Sequence, residues 1–476
     1  MRHALVLLAL SGTATAGGTR LHPVHNADGS IVVGAHAYAS QQAYFQSAEW
    51  QLSGGRCGSE MPSAVSLAFA QTDCSMSSTV INPDYIDGRV LVIQVVFHVV
   101  SKSDGTGAIS DDQIRSQIQI LNEDYEAMVN THGAAGTNAG VEFVLARFDP
   151  AGHPTTGIDR VTNDAYFSEG DGGTSAMKTA LHWDTTRYLN LYSSGLDSVG
   201  LLGYATFPQE SAGQPDDGVV VAYQSVGNNP AYTPYDLGAT ATHEVGHYLG
   251  LLHTFQSGCG TTTAPYTSGD LISDTNREKA ANYGCAAVAS GCNDGKNSPI
   301  ENYMDYSQDA CMTKFTTEQV NRIRCDIINY RSINTEPKAG FTFAANHLAA
   351  TFTSTSTDAE TQPAQLHYLW SFGDGMTSTD QNPSHTYAAA GSYDVTLEVV
   401  DPGSASNTST QTIAVTADGN TGSGSNTGGT DGGIDDPMHP GSDSTGGGCC
   451  EAPGGGLSFA LCAVPVAFVV RRRRRR

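Results

Sequence analysis

The period of hydrophobic and polar residues changes several times along this chain, and each change marks a unit. Residues 90–100 (VLVIQVVFHVV) form a continuous, β-branched run, as expected of a strand covered on both faces. From Ser110 the period lengthens, with Ile114, Ile118, Leu121 and Tyr125 three or four residues apart. That spacing predicts an amphipathic helix to Glu126, with Ser110 or Asp111 as its N-cap. Apolar runs at 141–146, 188–192, 201–206 and 218–222 predict further strands, and the whole reads as an α/β unit. Between Ala339 and Val415 the period shortens to two, as in Tyr393-Asp-Val-Thr-Leu-Glu-Val, with turn residues between runs. This is the pattern of a small β-sandwich. Residues 417–448 are nearly all Gly, Ser, Thr, Asn and Asp, cannot bury a core, and predict a flexible linker.

The two ends read differently. Met1-Arg2-His3, an apolar run from Ala4 to Leu10 and Ala14-Thr15-Ala16 are the parts of a secretory signal peptide, predicted over 1–16. Export places the ten cysteines in an oxidising compartment, where pairing is the default. At the other end, Cys449-Cys450, an apolar stretch from Leu457 to Val470 and six arginines make up residues 449–476. The apolar part is shorter than the ~20 residues of a spanning helix. The arrangement resembles the C-terminal sorting tags of bacterial surface proteins, and a plain tail anchor is the other reading. With 48 acidic against 24 basic residues, the net charge of −24 argues against a nucleic-acid or anionic-membrane partner.

Candidate chemistry lies in residues 238–253, GATATHEVGHYLGLLH. On a helix, residues four apart share a face, so His243 and His247 can hold one Zn²⁺ with Glu244 beside them. Gly250 can end the helix at positive φ and turn the chain, bringing in His253 as third ligand. Three protein ligands leave a position for water, and Glu244 is the candidate general base that takes its proton.

H-E-x-x-H-x-x-G-x-x-H is the metzincin signature. Together with Leu202–Pro208, Gly269–Thr275 and the phrase NYMDYSQDACMTKF at 302–315, it resembles the pappalysin family of metalloendopeptidases over 90–331. The resemblance implies an α/β metzincin domain, a mixed twisted sheet plus an active-site helix, over 89–336. It further implies Met304 as the residue of a methionine turn beneath the histidines, and Tyr306 as a phenol that donates to the oxyanion. It places protein or peptide substrates extended along the strand near Leu202–Phe207. Trp370-Ser-Phe-Gly-Asp-Gly375, His385-Thr-Tyr387 and Gly391-Ser-Tyr393 resemble the PKD domain, an immunoglobulin-like sandwich, over 337–416. A PKD domain here could contact a larger target.

Cys259, Cys285, Cys292 and Cys311 allow three pairings, and sequence alone does not choose. The pappalysin resemblance suggests Cys259–Cys292 and Cys285–Cys311. Asp270 and Asp274 are candidate calcium ligands, or plain solvated acids. Residues 17–88 read as a propeptide containing Arg56-Cys57-Gly58. Similar phrases in pappalysin-like zymogens imply that the Cys57 thiolate closes the open position on zinc, whereas pairing of Cys57 with Cys74 is the alternative. Cys325 has no evident partner. The chain therefore reads as a secreted or cell-surface, latent zinc endopeptidase. The competing class is an adhesin with a non-catalytic metzincin domain, which would have no use for Glu244.

Overall fold

The structure is a computed structural model that describes residues 23–26, 28–52, 55–60, 62, 85, 88–168, 176–332 and 334–417. The predicted signal peptide, linker and C-terminal tail lie outside these. The first described segment forms three short antiparallel strands, β1 (Val24–His25), β2 (Ile31–Val33) and β3 (His36–Tyr38), then helices α1 (Gln41–Phe45) and α2 (Ala48–Leu52). The sequence pattern did not reveal this subdomain, because its elements are too short to show a period.

The central sheet runs β5 (Val141–Leu145), β4 (Leu91–Ser101), β7 (Tyr188–Ser194), β9 (Val219–Ala222), β8 (Gly203–Ala205). All neighbours are parallel except β8, which pairs antiparallel with β9 and forms the edge. β6 (Ile158–Thr162), absent from the sequence reading, continues the β4 edge that β5 begins. Ten of the eleven residues of β4 are buried, because strands flank it on both sides and helices cover its faces. Helix α3 (Asp111–Tyr125) starts at Ser110, whose side chain accepts the Gln113 N–H, and buries Ile114, Ile118, Leu121 and Tyr125 as one stripe. Helix α4 (Ala239–Tyr248) is buried at all ten positions. Helix α5 (Thr317–Tyr330) opens with a Thr316–Gln319 capping box.

The C-terminal sandwich has one sheet of β10 (Phe341–Asn346), β11 (Ala349–Ser354) and β14 (Ser384–Thr386). The other holds β12 (His367–Ser371), β13 (Thr377–Ser378), β15 (Gly391–Val400) and β16 (Ser406–Val415). Trp370 is fully buried between them, and its indole N–H donates to the Asp380 carbonyl at 2.8 Å. The sandwich packs on the α/β unit: Arg147 pairs with Glu398, Phe148 stacks on His367 at 3.8 Å, and the Asn334 side chain donates to the Gly403 carbonyl. Ser404 links the two most directly. Its buried hydroxyl donates to Gln94 Oε1 at 2.9 Å and accepts the Arg147 N–H at 3.0 Å. Ser404→Ala leaves both groups unpaired and is expected to cost about 1–3 kcal/mol. A fall in the urea midpoint at constant m-value would report it.

Candidate metal centre and active site

Helix α4 begins at Gly238, whose φ of +80° and close approach to Ile120 leave no room for a side chain. Asp309 Oδ2 accepts the N–H groups of Leu237 and Ala239, placing a carboxylate at the positive end of the helix. One turn in, His243 Nδ1 lies 2.6 Å from the Tyr303 carbonyl, and His247 Nδ1 lies 2.7 Å from the Leu251 carbonyl. A carbonyl only accepts, so both Nδ1 atoms carry protons and both Nε2 atoms carry lone pairs. Gly250 has φ +85°, and a Cβ there would meet Asp326 Oδ2 at 1.7 Å. The turn it permits carries His253 back, so that His253 Nε2 stands 3.0 Å from His247 Nε2.

His243 Nε2 is buried with no hydrogen-bond partner. The ligating atoms of His243, His247, His253 and Cys57 all lie within 4.8 Å of one another, the one such cluster of three or more among the described residues. Burial holds His247 down to about 4 and His243 and His253 well below the usual histidine range, so all three are neutral donors at neutral pH. Converging neutral imidazoles with an unpartnered lone pair fit a divalent cation of zinc's ligand preference. Beneath them Met304 is fully buried, and a Cβ on Gly246 would lie 2.5 Å from its sulfur. Gly246 therefore lets the methionine turn press against the helix.

Glu244 is buried behind the edge strand, and a Cβ on Gly203 would lie 2.6 Å from its Cγ. Burial pushes its carboxyl up to about 8, opposed by Cys57, Arg56, Ser59 and Lys178. Its Oε2 accepts the Cys57 thiol at 3.3 Å and the Ser59 hydroxyl at 3.1 Å. Burial, then the Glu244 charge, raises the Cys57 thiol well above its ordinary value. A coordinated cation reverses that order, since a ligating thiol is deprotonated outright. Cys57 is in no disulfide. The Tyr306 hydroxyl donates to the Cys57 carbonyl at 3.3 Å, and its ring meets His253 edge-on at 4.8 Å.

Residues 55–59 lie along β8. Leu202 N–H donates to the Gly55 carbonyl at 3.0 Å and Gly58 N–H to the Gly203 carbonyl at 2.8 Å, a register of the parallel kind. The Arg56 side chain enters a closed pocket beside the metal cluster, which the sequence did not reveal because its walls come from distant segments. The guanidinium donates to Thr240 Oγ1 and Met312 Sδ, lies 4.7 Å over the Tyr235 ring and is 3.5 Å from Asp309 Oδ1. Both charged side chains are completely buried.

Asp270 and Asp274 accept from different groups. Asp270 accepts the Ile272 N–H and the Thr275 hydroxyl, and Asp274 accepts the Glu318 N–H at the start of α5. Cys259 is bonded to Cys292 and Cys285 to Cys311. Cys325, for which the sequence offers no partner, is disulfide-bonded.

A family model described as pregnancy-associated plasma protein-A matches residues 172–327, and a PKD-domain model matches 334–417. An extracellular metalloprotease of Pyricularia oryzae is 34% identical over 288 residues, 58% of this chain and 90% of that protein. Extracellular metalloprotease 1 of Coccidioides posadasii is 39% identical over 48% of this chain and 75% of that protein. The chain belongs to the pappalysin-type metalloendopeptidases. A promirolysin mutant of Tannerella forsythia is similar at 33% identity, over 58% of this chain and 95% of that one, with a TM-score of 0.47. The metzincin α/β fold and the PKD sandwich expected from the sequence are both present in this pappalysin-type chain.

One buried carboxylate ties the centre together. Asp124, 3% exposed on α3, accepts the Thr242 hydroxyl and the Tyr303 hydroxyl, each at 2.6 Å, and Tyr303 also supplies the carbonyl that orients His243. Asp124→Asn removes one acceptor and is expected to weaken metal retention about ten- to a hundredfold. The chelator concentration that strips half the metal measures it.

Proposed function

We propose that this chain is a secreted zinc-dependent endopeptidase made as a latent precursor, and that it accepts a basic side chain beside the scissile bond. The observation that carries the reading is the Arg56–Ser59 segment lying across the histidine cluster, with Cys57 at the cluster and Arg56 in a pocket ending on Asp309. His243, His247 and His253 would hold the zinc, which supplies Lewis acidity at the carbonyl and lowers the pKa of water. Glu244 takes the proton of the attacking water and hands it to the leaving nitrogen. Tyr306 donates to the carbonyl oxygen as charge builds there, a role supported by its present bond to the Cys57 carbonyl. The edge of β8 aligns the polypeptide through main-chain hydrogen bonds.

Latency follows because Cys57 joins the three histidines as the fourth group of the cluster, where hydrolysis needs a water, and Ser59 and Cys57 both occupy Glu244 Oε2. A pocket that buries an arginine against a carboxylate will take the same side chain from a substrate once residues 55–59 leave. Export is supported by the signal-like residues 1–16 and by relatives named extracellular metalloproteases. Residues 449–476 would serve sorting or anchoring. A buried Glu244 beside the histidines supports hydrolysis over adhesion.

Glu244→Ala is expected to lower peptide turnover by about 10²–10⁴ while metal content, read by atomic emission, stays near that of the parent. Loss of metal instead would mean that the carboxylate is needed for the centre itself. Asp309→Asn is expected to lower the preference for arginine over leucine peptides on the order of a hundredfold. An unchanged ratio of kcat/KM values would remove Asp309 from the pocket's selectivity.

A further inference from the structure

A second recess adjoins the arginine pocket, with walls from Leu202, Tyr232, Tyr235 and Tyr283, and Phe45 and Trp50 fill it. The Phe45 ring meets Tyr232 at 5.4 Å and Tyr235 at 5.3 Å, both edge-on. Trp50, fully buried, lies 5.5 Å from Tyr235 and 5.8 Å from Tyr283, and its indole N–H donates to the Gly200 carbonyl at 2.9 Å. Tyr235 is a wall of both sites, since it also lies under the Arg56 guanidinium. Two hydrogen bonds set the spacing. The Leu202 N–H bonds the Gly55 carbonyl, next to Arg56, and the Trp50 indole reaches the Gly200 carbonyl two residues earlier, so the recess sits just before β8, a few residues along the cleft from the basic side chain.

We propose that this recess is a substrate subsite for an aromatic side chain, tryptophan above all, two to four residues from the basic residue and on the side away from the histidines. The inference rests on the reading of the cleft as that of a latent endopeptidase. When residues 41–52 leave, three tyrosine rings and a leucine form a continuous apolar face beside the cleft, the kind of surface that marks a binding site. Edge-on ring contacts favour an aromatic occupant over an aliphatic one, and the Gly200 carbonyl adds an acceptor that an indole satisfies. The substrate class is thus a polypeptide carrying a basic residue with an aromatic residue close by.

The test uses the full-length protein after processing, with two peptides that share one arginine and differ by tryptophan or alanine three residues beyond it. The tryptophan peptide is expected to have about tenfold higher kcat/KM, and the ratio should fall towards one in Tyr283→Ala and in Tyr283→Leu, which keeps apolar bulk without the ring that meets the indole edge-on. A ratio near one in the parent, with cleavage at the arginine intact, overturns the recess and leaves the cleft reading standing. Absence of any cleavage overturns the cleft reading. Calorimetric binding of the same peptides to processed Glu244→Ala then decides the recess: tenfold tighter binding of the tryptophan peptide supports it, and equal binding overturns it.

Discussion

The carbonyl of Tyr303, accepting the Nδ1 proton of His243, is the contact on which the rest of the centre depends. It joins the active-site helix to the methionine turn, two segments some sixty residues apart. Through it the ring is held in one tautomer with its lone pair aimed inward. The same tyrosine is fixed at its other end by Asp124, so helix α3, helix α4 and the turn share one rigid connection. Met304 can lie under the helix only because Gly246 has no side chain. A ligand cage assembled from buried neutral imidazoles needs this stiffness, since each nitrogen must be held on target by its own hydrogen bond.

Much of this was legible in the sequence because the informative patterns are local. The i, i+4 spacing of His243 and His247 and the glycine that turns the chain back need only one helix and its end. The long apolar run of β4 and the stripe on α3 are equally local, and the tryptophan hairpin marked the sandwich. What stayed hidden depends on contacts across long separations. Arg56 reaches Thr240, Tyr235, Asp309 and Met312, and no periodicity in any of those segments points to a shared pocket. Asp124 reads in sequence as one more acid on the polar side of a helix, yet it is buried. β6 has only partial burial and mixed composition, so its alternation is weak.

An acidic chain that buries so many charges has to neutralise them in place. Arg56 with Asp309, and Arg331 with Asp217, are pairs with almost no exposure. Arg331 also donates to the Tyr248 carbonyl at the end of α4 and lies 3.7 Å over the Tyr248 ring, so the residue that follows α5 clasps the end of the active-site helix. Lys178 donates to the carbonyls of Asp216 and Gly218 beside β9. Desolvated charges of this kind tolerate joint replacement better than loss of one partner. The Arg56–Asp309 pair differs from the others, because one member belongs to the segment proposed to depart.

The contact between Gly203 and Glu244 limits how this cleft can be altered. With the carboxylate packed against the bare α-carbon of the edge strand, no other amino acid fits there without pushing the carboxylate out of place. That stretch of the floor is frozen by its chemistry, whatever polypeptide is to be cut. Diversification, in nature or by engineering, is thereby diverted to the side walls, where Tyr235 lies against the departing segment and not against the carboxylate.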